Sequence, residues 1–310
     1  MENEQLANKK TNKKKAIIQY SLILLVAVGL GVTGGIIVKK NTGQSETDYS
    51  GFDPELYRED SVALLKQYEA NPRKSFTPAE LVNIGLQKYR NCENSYSIGI
   101  GTATTIVNQT IRNAQIKNGN QYFEESISNS SMVHIANRVN QIGIDKGIDF
   151  YKGKATGTED CKYTDNKVSY ASDDYKKEWG KTLDEMFIYL ISNKTVLDEG
   201  TSVEKKDNLI KIKLNLNVDT SSYYYKVQMK TISKLSALPT FEYLKQTYTF
   251  SSDMTLLHCS VDEQYQASMS GIKANIHNTI EYYYHANEIR QIPSLNEMVN
   301  YSTEGETIYE

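Results

Sequence analysis

Residues 256–286 read LLHCSVDEQYQASMSGIKANIHNTIEYYYHA, and their pattern decides the fold. Leu257, Cys259, Val261 and Tyr265 alternate with polar residues up to a turn at 268–271. Ile272, Ala274, Ile276, Ile280, Tyr282 and Tyr284 follow at even positions. A period of two marks strands with one buried face. Pairing Ala267 with Ile272 sets Cys259 opposite Ile280 and Leu257 opposite Tyr282, so apolar residues meet across a hairpin. Cys259 then points to the apolar face, where a free thiol behaves as a small hydrophobe.

The stretch before it has the same character. Ile210, Ile212, Leu214, Leu216 and Val218 alternate with Lys211, Lys213, Asn215, Asn217 and Asp219. Tyr223, Tyr225, Val227 and Met229 repeat the alternation, and opposing Val218 to Tyr223 predicts a second hairpin. Further upstream, residues 172–190 switch to intervals of three and four. Tyr175, Trp179, Leu183, Met186, Phe187 and Leu190 form one apolar stripe, with Ser172 as cap and Asp173 and Asp174 at the positive end of the dipole. That predicts an amphipathic helix over 175–190.

From Tyr96 the period is two again. Tyr96, Ile98, Ile100, Thr102, Thr104 and Ile106 share one face, and Ser97, Gly99, Gly101, Ala103 and Thr105 the other. The second face is small enough for a neighbour to pack close to it. Asn118-Gly-Asn is a hairpin turn, which links this first long strand to a second over 121–128. Further strands are expected near 132–139, 149–153 and 168–170. Two helices precede the sheet. Asp53-Pro54 starts one that should run to Glu69, and Thr77-Pro-Ala-Glu80 is a capping box for one ending near Arg90.

The N-terminus is of another kind. Residues 16–38, AIIQYSLILLVAVGLGVTGGIIV, carry no charge and as a helix would span roughly 35 Å. Five lysines stand before the run and two after it, which places residues 1–15 in the cytoplasm and the remainder outside. The run is longer than the apolar core of a cleaved signal. The expected organisation is a cytoplasmic tail (1–15), a transmembrane anchor (16–38), a tether (39–52), an extracytoplasmic α+β domain (53–293) and a frayed tail (294–310).

Composition narrows the function. Seven of the 35 basic and two of the 38 acidic residues precede Asn41, leaving a net charge of −8 beyond it. An acidic domain without a basic cluster argues against nucleic acid. Three cysteines are too few for a disulfide scaffold. Cys92 and Cys161 could form one bridge, with Cys259 left over. The histidines, His134, His258, His277 and His285, form no metal-ligand spacing and read as solvated side chains. Asp173, Asp174, Asp184 and Glu185 fit a helix start and a solvated face better than a catalytic pair. No catalytic, cofactor or metal motif stands out, so a non-enzymatic protein is expected. An enzyme would instead show two or more buried ionisable groups with strongly shifted pKa values in one cleft.

The order of elements is capped helices, long strands, a central amphipathic helix and antiparallel hairpins. Over residues 77–293 this resembles the half-barrel of bacterial lipoprotein carriers and related envelope lipid-binding proteins. The likeness implies a curved antiparallel sheet wrapped on helices, able to enclose an apolar ligand. The lipid-attachment cysteine of many such proteins is absent, and the likeness designates no binding residue. The expectation is a membrane-anchored extracytoplasmic module that binds a lipidic or other apolar ligand; the alternative is a structural or interaction subunit of a cell-envelope assembly. Trp179, Tyr223, Tyr225, Tyr282 and Tyr284 are the candidate ligand-lining residues, since aromatic side chains on shared apolar faces suit such a groove.

Overall fold

The structure, a computed structural model, describes residues 52–310 apart from 106–107, 131–133, 144–145, 157–159, 180–182, 184–188, 227–228, 230–234, 270–271, 308 and 310. The expected anchor, residues 16–38, lies outside this set. No helix among the described residues is long and apolar enough to cross a membrane.

The chain is mostly a curved, open antiparallel sheet with few helices. Its strands are β1 (Asn94–Thr104), β2 (Asn108–Asn118), β3 (Gln121–Asn129), β4 (His134–Ile142), β5 (Ile148–Ala155), β6 (Cys161–Tyr170), β7 (Val196–Lys206), β8 (Leu209–Leu216), β9 (Thr240–Ser251), β10 (Leu256–Met269) and β11 (Ile272–Ala286). Their spatial order is β6-β5-β4-β3-β2-β1-β11-β10-β9-β8-β7. Two meanders therefore join through β1 and β11, and the edges are β6 and β7. The β7 edge is blunted by Asp198, Glu199, Glu204, Lys205 and Lys206 and by a break in register around Gly200.

Among the described residues, the helices that accompany the sheet are α1 (Ser61–Ala70), α2 (Pro78–Arg90) and α3 (Ser172–Trp179), besides a helical turn at 223–226. The capping box forms as its spacing requires, with Thr77 Oγ1 accepting from the Glu80 N–H and Glu80 from the Thr77 N–H. The helix expected over 54–69 is instead a short 3-10 turn at Pro54–Tyr57 followed by α1. Asp60 provides a second cap, accepting from the Ala63 N–H at 2.9 Å. One face of the sheet, the inner face, carries the helices. Leu64, Leu65, Ala79, Val82 and Ile84 of α1 and α2 join a core with Ile212, Tyr248, Phe250 and Tyr284 of the sheet. Farther along, Tyr175 of α3 and Leu183 pack on Val139, Ile148 and Phe150.

Several expectations need correction. Residues 223–226 are helical, not a strand, so Val218 does not oppose Tyr223; β8 pairs with β7 and β9 instead. The Asn217 side chain accepts from the N–H groups of Asp219 and Thr220 and starts a helical turn. Ser222, Tyr225, Lys226 and Met229 are then buried at intervals of three and four. The first long strand is two, β1 and β2, paired in a hairpin. The β10–β11 register is tighter by two residues: Ala267 faces Ala274, and Cys259 faces Tyr282 rather than Ile280. Apolar residues still meet, because a shift of two preserves the faces. A register irregularity beside Leu257 puts Leu256 in the core in its place. Of the helix expected over 175–190, α3 covers the first part; Leu183 lies in a turn and Leu190 outside any helix.

The tail is not frayed at its start. Val299 and Tyr301 are buried on the outer face of β1–β6 with Ile98, Ile116, Phe123 and Ile127. All three cysteines are free, so Cys92 and Cys161 are not bridged. His258 is buried beside Glu281, at 2.9 Å, rather than solvated, and His285 is largely covered.

Candidate functional site

The inner face is the natural place for a ligand, and its two halves differ. On β8–β11 the alternation delivers Ile212, Leu214, Tyr248, Phe250, Val261, Tyr265, Ile280, Tyr282 and Tyr284, all buried. On β2–β4 the same face is mostly polar: Gln109, Asn113, Glu124, Ser126, Ser128 and Asn137 are buried there beside Ile111 and Val139. Tyr282 stands at the border. Its ring belongs to the apolar half, and its hydroxyl accepts from Asn113 Nδ2 at 3.2 Å. Ser126 Oγ donates to Asn113 Oδ1 at 2.9 Å, so the polar half continues from there.

The cover over the apolar half is a helical hairpin. α2 seats on the sheet through Gly85, whose missing side chain admits the Phe250 ring; a Cβ there would stand 2.1 Å from Phe250 Cε1. Tyr89 meets Tyr284 edge-on at 5.2 Å. Several polar ties join the hairpin to the sheet side, among them Lys117 Nζ of β2, which donates to Arg90 O at 2.8 Å. Lys88 Nζ reaches Asp253 Oδ2 at 2.7 Å, and this contact, with Ser251 as a second donor, holds the Asp253 carboxyl below its usual range. Asn83 Nδ2 donates to Ile191 O at 2.8 Å, and Thr77 Oγ1 to Asn193 Oδ1 at 2.6 Å. A cavity of about 120 Å³ lies beside this hairpin, lined by Ser61, Asn83, Gln87, Tyr189 and Ile191 among others.

Beneath the cover sits an acid that reading the sequence missed. Glu263 is fully buried on β10. Its carboxylate accepts from Tyr189 OH at 2.7 Å, Tyr225 OH at 3.2 Å and Asn278 Nδ2 at 2.9 Å. Burial raises its pKa, against the pull of those donors. Burial, then the Glu263 charge, raises the Tyr189, Tyr225 and Tyr265 hydroxyls well above their ordinary range. This is a cluster of buried, shifted ionisable groups of the kind that an enzyme would show. Its geometry ties elements together: Glu263 joins β10 to the 189–191 segment and to the turn at 223–226. Its oxygens already take three donors in the core. The signal for Glu263 was in the alternation itself, since it falls between Val261 and Tyr265 on the inner face. Asn278 likewise falls between Ile276 and Ile280.

The candidate lining residues divide. Tyr225, Tyr282 and Tyr284 share the inner core, with the last two rings stacked at 6.3 Å. Tyr223 is half-buried elsewhere, stacked on Phe52 at 4.2 Å. Trp179 ends α3, and its side chain lies outside the description. Among the described residues, no three His, Cys, Asp or Glu side chains are placed to hold a metal.

No family model and no curated protein matches the chain. Among solved structures it is similar to a porin-like protein from Bacteroides uniformis, at 13% identity over 61% of this chain and 97% of that one, with a TM-score of 0.18. A likeness that loose carries no argument.

Proposed function

We propose that this chain is a membrane-anchored extracytoplasmic module that binds a lipidic or other apolar ligand on the inner face of its open sheet, without catalysis. The observation that supports the reading is the character of that face, mostly aromatic and aliphatic on β8–β11 and mostly polar on β2–β4, under a helical hairpin. Such a face suits an amphiphile, with its apolar part against the tyrosines and its polar part toward Asn113 and Ser126. The cavity of about 120 Å³ lies beside the hairpin, is lined by no residue of β8–β11 and is smaller than the ~300 Å³ of ordinary ligand pockets, so on this reading a ligand enters only when the hairpin moves.

The test is native mass spectrometry of the chain released from membranes by cutting in the 39–52 tether. A bound amphiphile is expected. Lys88 and Asp253 are close enough for a carbodiimide to join them as an amide, which should pin the hairpin and abolish uptake of a fluorescent fatty acid. A Lys88→Arg chain, which cannot form that amide, should keep it. A ligand-free chain that takes up no probe in either form sinks the reading. Protease added outside intact cells should remove everything beyond the tether; protection of the sheet would refute the orientation.

The second reading, an interaction subunit, is favoured by one observation. The outer face holds a segment of the chain outside any strand by its main chain.

A further inference from the structure

β11 ends at Ala286, and Asn287 turns the chain back in a left-handed conformation (φ 62°). Residues 288–301 enter no strand ladder. They form a strap over the outer face of β1–β6, where Ile292, Leu295, Met298, Val299 and Tyr301 pack on Phe123 and its neighbours.

An ion pair lies beneath the strap. Glu125 of β3 and Arg138 of β4 face each other across the ladder, both buried, at 2.8 Å. The Arg138 guanidinium lies between the Phe123 and Tyr163 rings, 5.1 and 4.4 Å from their centroids. It donates to the carbonyls of Pro293 at 3.2 Å, Ser294 at 2.6 Å and Glu297 at 2.5 Å. Glu125 Oε2 accepts from Tyr163 OH, and Oε1 from the Val299 N–H at 2.9 Å and Tyr301 OH at 3.2 Å. One buried pair thus reads four main-chain groups of a peptide that makes a turn at 294–297. A buried ion pair is a poor source of stability, but planar, charge-assisted donors are good at recognition.

We propose that this groove is a peptide-binding site, and that its exchangeable occupant is the same strap from a second copy of the chain, giving a strap-swapped dimer. Three observations favour that occupant. The groove's apolar pockets and the Glu125 contact to Tyr301 fit this tail in particular, so another copy's tail satisfies every one of them. The strap leaves without breaking a strand ladder, and the bend that releases it is at the exposed Asn287–Ile289 corner. An emptied groove takes the strap carbonyls from Arg138 and the Val299 N–H from Glu125, and bares Ile98, Ile116 and Phe123. The open form therefore recaptures a strap, its own or its neighbour's, and exchange of an identical element is the low-cost route to a dimer.

The experiment uses the full chain with a protease site placed at Ile289. After cutting, a fluorescent peptide of residues 290–310 should replace the severed strap saturably. An Arg138→Gln chain should hold that peptide about tenfold or more weakly, since its carbonyls lose a charged donor. Uncut chains carrying two different tags, concentrated together and then diluted, should co-purify as mixed dimers. The mixed dimers should vanish when both copies end at Asn287, and fall in the Arg138→Gln background should the truncated chain fail to fold. A severed strap that never exchanges overturns the proposal. So does the absence of mixed dimers, or their formation with both straps removed, which would place the association in residues 16–38.

Discussion

The ring of Tyr282 lies on Gly99 of the neighbouring strand, so close that a Cβ on Gly99 would stand 2.4 Å from ring atom Cε1. The small face of β1 thus exists for the strand beside it. Gly99→Ala should destabilise the fold by about 1–3 kcal/mol, the range for overpacking a filled core. Urea denaturation checks this. A Tyr282→Leu partner should recover part of the loss, and a double-mutant cycle that finds the two substitutions additive would show that the ring does not press on Gly99.

Gly85 gives the same contact a functional edge. Alanine would improve helix propensity by about 1 kcal/mol, but its Cβ meets the Phe250 ring at 2.1 Å. The clash should win, and Gly85→Ala should speed amide exchange in α1 and α2 more than in β9 and β10. In a Phe250→Leu background the propensity gain should reappear, and the Gly85→Ala chain should become the more stable of the two.

Glu263 makes stability depend on pH in a particular direction. Its folded pKa lies above the 4.5 of the free side chain, so the folded state binds the proton more tightly than the unfolded one. The contribution is complete below about pH 4.5 and declines as pH rises from there toward the folded value. Glu263→Gln removes the titration. The stability of the variant relative to the parent should therefore rise between pH 4 and pH 7; a constant difference across that range would refute the raised pKa.

Much of the sheet was legible in the alternation of polar and apolar residues, which found β1, β3, β8, β10 and β11 and the buried side of Cys259. The misses have physical causes. Tyr223, Tyr225, Val227 and Met229 alternate, but Tyr225 and Met229 are also one helical turn apart, and the Asn217 side chain decided for the turn. The length of the β10–β11 loop set the register, and apolar pairing tolerates a slip of two. Arg138 and Glu125 carried no local signal, because residues 292–301 return from far along the chain to cover them. The burial of Tyr282 and Tyr284 on the inner face was legible in their apolar setting, whereas Tyr225 reaches that core from a helical turn. Glu263 and Asn278 were passed over because polar residues on an apolar face break the very pattern used to find it.

The cysteines report on both faces without mutagenesis. Cys92 is half-buried, whereas burial, then the Glu125 charge, pushes the Cys161 thiol up to about 11, and burial pushes Cys259 well above its ordinary range. At pH 8 a disulfide reagent should label Cys92 first, with the other two reacting on unfolding. Cutting at Ile289 should hasten Cys161, which lies under the strap, and leave Cys259 unchanged. Equal acceleration of both would mean that the strap holds the whole fold and not one face.

The pairing of β1 with β11 sets the order of assembly. Residues 95–104 meet 277–286 in the middle of the sheet, so the central seam closes only when the last strand has been delivered. A chain synthesised from its N-terminus carries β1 to β6 with an open edge at β1 until β11 is made. Contacts of such long sequence separation make folding slow, and an unpaired central strand is a template for aggregation. Truncation inside β11 should therefore yield insoluble chain and not a partly folded remnant, and the yield of folded protein should depend on how well the emerging β1 edge is shielded.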